Sequence, residues 1–147
     1  MEKCYLPLSE MTISALDAYA KETNPCNCVK LMDITELFDK TPLSANSGTR
    51  FTPLCMLRLF ADKVDGIPDK LLYLDCDVVC KKNISELYET NVDNYEFAGV
   101  LDRYGKWFFK KNLFRFDYVN SGVLLLNMSV IKETGLFEKC RTRCANK

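Results

Sequence analysis

The chain has 147 residues, 48% hydrophobic and 12% aromatic, which is the length and apolar content of one globular domain with a sizeable core. Lys plus Arg and Asp plus Glu balance at 20 each, so no basic excess points to nucleic acid or an anionic membrane as a partner. There is no histidine, which removes Ser-His-Asp and Cys-His catalytic sets and leaves chemistry to carboxylates, cations and a bound metal.

No apolar window reaches the length of a transmembrane span, and Met1-Glu2-Lys3-Cys4 leads into a polar helix rather than an apolar signal core. A soluble, cytoplasmic protein is expected, its eight cysteines reduced. Their spacings, Cys26-x-Cys28, Cys76-x3-Cys80 and Cys140-x3-Cys144, do not form the paired C-x2-C pattern of a zinc site.

In chain order, Lys3 to Leu8 reads as a short strand, and Ser9 as the N-cap of a helix through about Lys21 that Asn24-Pro25 ends. Cys28 to Met32 reads as a second strand, Thr35 to Phe38 as a helical turn, and Thr41 to Gly48 as a breaker-rich loop. Thr52 followed by Pro53 starts a helix running to about Val64. Its stretch Leu54 to Ala61 is apolar all round except for Arg58, a guanidinium that needs an anion.

After the turn Asp65-Gly66-Ile67-Pro68 comes Leu71-Leu72-Tyr73-Leu74-Asp75-Cys76-Asp77-Val78-Val79, a strand covered on both faces with carboxylates at its end. The period of two puts Asp75 and Asp77 on one side and Cys76 on the other. Two close anions need a cation between them, and open α/β sheets bind ligands at the carboxyl ends of strands, so a divalent ion with oxygen ligands is expected there. Beyond it, Asn83 caps a short helix through Tyr88, and Glu96 to Leu101 is a strand ending at Asp102. Tyr118 to Asn127 is a further strand, followed by a cap at Ser129 and a helix pair broken at Gly135. Strands alternating with helices imply an α/β fold with a largely parallel sheet.

The tract from Arg50 to Phe137 resembles the family 8 glycosyltransferases. Three motifs in a fixed order carry the resemblance: Thr52-Pro53-Leu54-Cys55-Met56-Leu57-Arg58-Leu59, Lys70-Leu71-Leu72-Tyr73-Leu74-Asp75-Cys76-Asp77, and Tyr118-Val119-Asn120-Ser121-Gly122-Val123-Leu124-Leu125-Leu126-Asn127. The resemblance implies a GT-A fold, Rossmann-like and mostly parallel with helices on both faces. It also implies a UDP-sugar or other nucleotide-diphosphate sugar donor, Mn²⁺ or Mg²⁺, and transfer of a hexose with retention to a glycan, glycolipid or lipopolysaccharide-type acceptor. It assigns the metal to Asp75 and Asp77, and places Arg58 near the donor phosphates. Asp102 and Asn120 are expected on the donor sugar as catalytic-site residues, and Cys76 and Ser121 within the donor-binding backbone. Gly122 would let the chain pass close to the sugar.

Family members also carry an earlier base-holding strand, and a later segment with a catalytic-face glutamine or aspartate and a third, histidine, metal ligand. This chain has neither. Residues 1–147 are thus expected to be one partial catalytic domain, truncated at both ends and slow in transfer by itself, with any peripheral membrane association arising from regions it lacks. Two other readings stand beside this: an inactive fragment that only binds, and an aspartyl-nucleophile phosphohydrolase with Asp75 attacking phosphorus. The aromatic and basic stretch Tyr104, Lys106, Trp107, Phe108, Phe109, Lys110 and Lys111 either stacks on an acceptor sugar or packs on its own core.

Overall fold

In the computed structural model, residues 9–39, 53–102 and 118–145 are described. The expected strand Lys3 to Leu8, the loop at 41–48 and the aromatic stretch 104–111 lie outside them. The chain divides into two compact units, residues 1–33 and 34–147.

In the first unit, α1 (Glu10–Thr23) begins at Ser9, whose hydroxyl accepts from Thr12 N at 3.2 Å, and ends at Asn24. The expected strand at Cys28 to Met32 is absent: the segment carries no ladder. One of its amides, Val29 N, donates instead to the Asp17 carboxylate of α1 at 2.9 Å.

The second unit starts with α2 (Thr35–Asp39), followed by a 3₁₀ helix at Pro53–Lys63. Strand β1 (Lys70–Leu74), α3 (Ser85–Tyr88), β2 (Phe97–Leu101), β3 (Val119–Asn127), α4 (Met128–Thr134) and α5 (Leu136–Ala145) complete it. Gly135, at φ 66°, supplies the left-handed residue that separates α4 from α5, as the sequence indicated. The cap of α4 is Asn127 rather than Ser129: its side chain accepts from Val130 N. The cap position of α3 is Ile84, which makes no side-chain bond, rather than Asn83; Asn83, one residue further out, accepts from Ser85 N at 2.9 Å.

The three strands lie in the order β1-β3-β2, and β3 is antiparallel to both neighbours. The expectation of a mostly parallel sheet is corrected for the described strands. β1 and β2 do run in the same direction, but β3 is inserted between them reversed. Along β3 the residues alternate in environment, because successive side chains of a strand face opposite ways. Leu126 packs with Met128, Ile131 and Phe137, joined by Leu124, Leu71, Tyr73, Leu59 and Ala61, so α4, α5 and the 3₁₀ helix cover this face. Leu125, on the opposite face, is also fully buried, and the uninterrupted apolar run at 123–126 reflects burial on both sides.

Candidate functional site

The reversal of β3 places the site. Because β1 and β2 point one way, their carboxyl ends share an edge of the sheet, and the amino end of β3 returns to that same edge. Asp75 N donates to Gly122 O at 2.8 Å and Asp102 N to Tyr118 O at 2.7 Å, so the residues just past β1 and β2 are tied to the first residues of β3. Asp75, Asp102, Asn120, Ser121 and Gly122, scattered over nearly fifty residues of sequence, thereby come to one rim.

β1 stops at Leu74, one residue before the first aspartate. Asp75 to Val78 form a turn closed by Val78 N donating to Asp75 O at 3.2 Å. The expected strand through Val79 is therefore corrected, and with it the alternation that put Asp75 and Asp77 on one side. Both carboxylates sit in a turn, Asp77 and Cys76 exposed and Asp75 half-buried. The alternation does hold one step earlier: Tyr73 and Asp75 meet, the phenol donating to Asp75 Oδ1 at 2.5 Å.

Arg58 reaches the same oxygen from the 3₁₀ helix, its Nη2 standing 3.4 Å from Asp75 Oδ1. An anion for this cation was expected, and Asp75 supplies it. Arg58 Nε donates to Cys55 O at 3.0 Å, Nη1 donates to Ser121 O, and Cζ lies 4.6 Å from the centre of the Tyr73 ring. Two backbone carbonyls and an aromatic face thus orient a guanidinium whose side chain is only 13% exposed. Burial, reinforced by the bond to Asp75 and opposed by the charge of Arg58, pushes the Tyr73 phenol up to about 12. It stays protonated and keeps donating throughout the neutral range.

Gly122 lies where Asp75 and Asn120 converge. Asn120 Oδ1 accepts from Gly122 N at 2.8 Å. A Cβ at Gly122 would lie 2.9 Å from Asp75 Oδ2 and 3.2 Å from Asn120 Oδ1. A side chain at this position would therefore press on both the carboxylate and the amide.

As a metal site, the turn offers two carboxylates and no sulfur or nitrogen requirement, a donor set that suits a hard divalent ion. Among the described residues no group of three or more Asp, Glu, Cys or His is placed to hold a metal. The pair fits an ion whose remaining ligands come from a bound diphosphate, water or other residues.

Two participants were not read from the sequence. Tyr73 carried a usable signal, since it lies two residues before Asp75 on the strand. Arg141 carried none. It is nine-tenths buried on α5, donates to both Asp62 oxygens at 2.6 and 2.8 Å and to Glu138 at 2.6 Å, and also donates to Leu59 O. It therefore pins the helix turn directly after Arg58. Glu138 is held below its ordinary carboxylate range by that guanidinium.

Comparison with known proteins adds the following. The sequence profile of glycosyl transferase family 8 matches residues 4–146. Glycosyltransferase GlyA of Streptococcus pneumoniae serotype 4 is 39% identical over 71 residues, 48% of this chain and 10% of its own length. Among solved structures, galactosyltransferase LgtC in complex with donor and acceptor sugar analogues superposes with a TM-score of 0.68 at 21% identity, over 93% of this chain and 52% of LgtC. The bifunctional glycosyltransferase WbbM superposes with a TM-score of 0.65 at 18% identity, over 92% of this chain and 27% of WbbM. The fold is the α/β GT-A fold of these proteins. The chain spans about half the length of LgtC and a tenth of GlyA.

Proposed function

The chain belongs to glycosyl transferase family 8, and on that premise we propose that the rim at Asp75, Arg58 and Asn120 binds a nucleotide-diphosphate sugar for transfer of a hexose to a glycan or glycolipid acceptor. The observation that carries this reading is the pairing of Arg58 with Asp75: a fixed cation and an acidic turn face each other at the carboxyl end of β1. A diphosphate with a divalent ion presents the complementary pair of charges.

Asp75 and Asp77 would hold Mn²⁺ or Mg²⁺, which when bound neutralises the diphosphate as it leaves. Arg58 would donate a second, charge-assisted contact to the phosphates. Asn120, already oriented by Gly122 N, and Asp102, tied to β3 through its amide, would contact hydroxyls of the donor sugar. The backbone around Cys76 and Ser121 lines the same rim and would lie along the nucleotide. Retention at the anomeric carbon and a UDP-linked donor are part of the proposal, as is a lipopolysaccharide-type acceptor. In membrane terms, no helix among the described residues is long and apolar enough to cross a bilayer.

The test is calorimetric titration of Mn²⁺ and UDP, separately and together, followed by transfer and donor-hydrolysis assays over a panel of UDP-sugars. Tight binding only of the combined ligands, abolished in the Asp75→Asn/Asp77→Asn double variant, is the expected result. Equal affinity in the wild type and the double variant would rule the assignment out.

A further inference from the structure

Asp75 Oδ1 is held twice, and the two holds are unequal. The Tyr73 phenol donates at 2.5 Å, whereas Arg58 Nη2 stands off at 3.4 Å. The guanidinium does not depend on Asp75 for its place, because Nε and Nη1 donate to the carbonyls of Cys55 and Ser121 and the Tyr73 ring lies beneath it. Nη2 is therefore the loosely engaged corner of a well-moored cation. A phosphate group, carrying more charge and more acceptor oxygens than one carboxylate, competes well for that corner.

We infer that Tyr73 is a positioning residue: it fixes Asp75 Oδ1 when an anionic ligand draws Arg58 Nη2 away, so that the carboxylate keeps its orientation as its ion-pair partner leaves. This inference rests on the donor-binding reading above. Without a second hold, a carboxylate released by arginine turns about its own bonds, and the negative phosphates repel it at the moment a cation needs it. Tyr73 prevents this from the strand, two residues before Asp75 and independently of Arg58. Asp75 Oδ2, lying against Gly122, remains for a cation. Groups that orient metal-binding side chains in this way commonly cost about 10- to 100-fold in metal affinity when removed.

Tyr73→Phe isolates the hydroxyl, since the phenylalanine ring still lies under Arg58. Titrate Mn²⁺ into wild type and variant, with and without UDP, following free Mn²⁺ by electron paramagnetic resonance. With UDP the variant is expected to bind Mn²⁺ about 10- to 100-fold more weakly. Without UDP, when Arg58 still braces Oδ1, the loss is expected to be several-fold smaller. Equal affinities in the presence of UDP overturn the inference, and so does the same loss in both conditions, which a merely structural tyrosine would give. If the folded wild type fails to bind Mn²⁺ with UDP, the donor-binding reading falls and takes this inference with it. Should Tyr73→Phe not fold, 3-fluorotyrosine at position 73 keeps the hydroxyl. Its fluorine resonance is expected to move on adding Mg²⁺ with UDP, and a resonance that does not move overturns the assignment.

Discussion

A methyl group on Gly122 would lie 2.9 Å from Asp75 Oδ2, closer than such contacts come, so Gly122→Ala must displace the carboxylate or the strand. Asp75 is the more mobile of the two, being a half-buried side chain beyond the strand end. Gly122→Ala is therefore expected to leave the circular dichroism spectrum unchanged while weakening Mn²⁺ with UDP by about tenfold or more, as measured by titration. Tyr73 gives a pH prediction. Its folded pKa is raised, first by burial and then by the bond to Asp75, so the protonated phenol contributes stability that is fully present below the ordinary phenol value and is lost as pH climbs through about 12. Urea midpoints of wild type and Tyr73→Phe should differ at pH 8 and converge toward pH 12; a constant gap would show that the phenol proton is irrelevant. At this scale the sequence was informative where chemistry is local. A lone arginine among apolar residues demanded an anion, and period-two alternation could have joined Tyr73 to Asp75. It misled at Asp77, because nothing in Asp75-Cys76-Asp77 carries a glycine or proline to announce that the strand stops at Leu74.

The 3₁₀ helix that carries Arg58 is held by α5 through Arg141, whose bidentate contact to Asp62 is buried at both ends, with the side chains 7% and 10% exposed. Removing one member of such a pair strands the other charge, so Arg141→Met should cost about 3–5 kcal/mol in chemical denaturation. The double replacement Asp62→Leu/Arg141→Met should recover most of that loss; no recovery would mean that the bond to Leu59 O, or the contact of the guanidinium with the Phe60 ring 5.4 Å away, carries the stability instead. Asn127 makes a second junction, capping α4 through Oδ1 while its Nδ2 donates to Val92 O at 3.0 Å. Asn127→Ala should destabilise by about 1–2 kcal/mol in thermal melts. The sequence located most of these elements by their ends: Ser9, Pro53 and Gly135 each mark a boundary. It chose Ser129 over Asn127 because both are capping types two residues apart, and only the connection to Val92 distinguishes them. It made a strand of Cys28 to Met32 because composition reports an extended preference, whereas a strand also needs a partner edge. Likewise Pro53 marks where a helix starts but not how tightly it winds.

For the second unit as a whole, the sequence carried the α/β class but not the sense of β3. An apolar run such as 123–126 shows burial on two faces, and burial is the same for either strand direction. That reversal assembles the rim, so the candidate residues were legible individually while their meeting place was not. The topology also leaves β1 and β2 with β3 as their one ladder partner among the described strands. β2 in particular presents Val100 at 65% and Leu101 at 48% exposure, with Phe97 and Tyr95 also exposed. An apolar strand with no ladder partner on its outer side among the described residues is a template for pairing with another chain. The 147-residue protein is therefore expected to self-associate with rising concentration, seen as an increasing weight-average mass in sedimentation velocity. Val100→Lys places a charge on that edge at a site too exposed to alter folding by more than about 0.5 kcal/mol, and it should suppress the association. If the wild type stays monomeric over the whole concentration range, or if Val100→Lys associates equally, the β2 edge is not the sticky surface and Val100 is covered in solution.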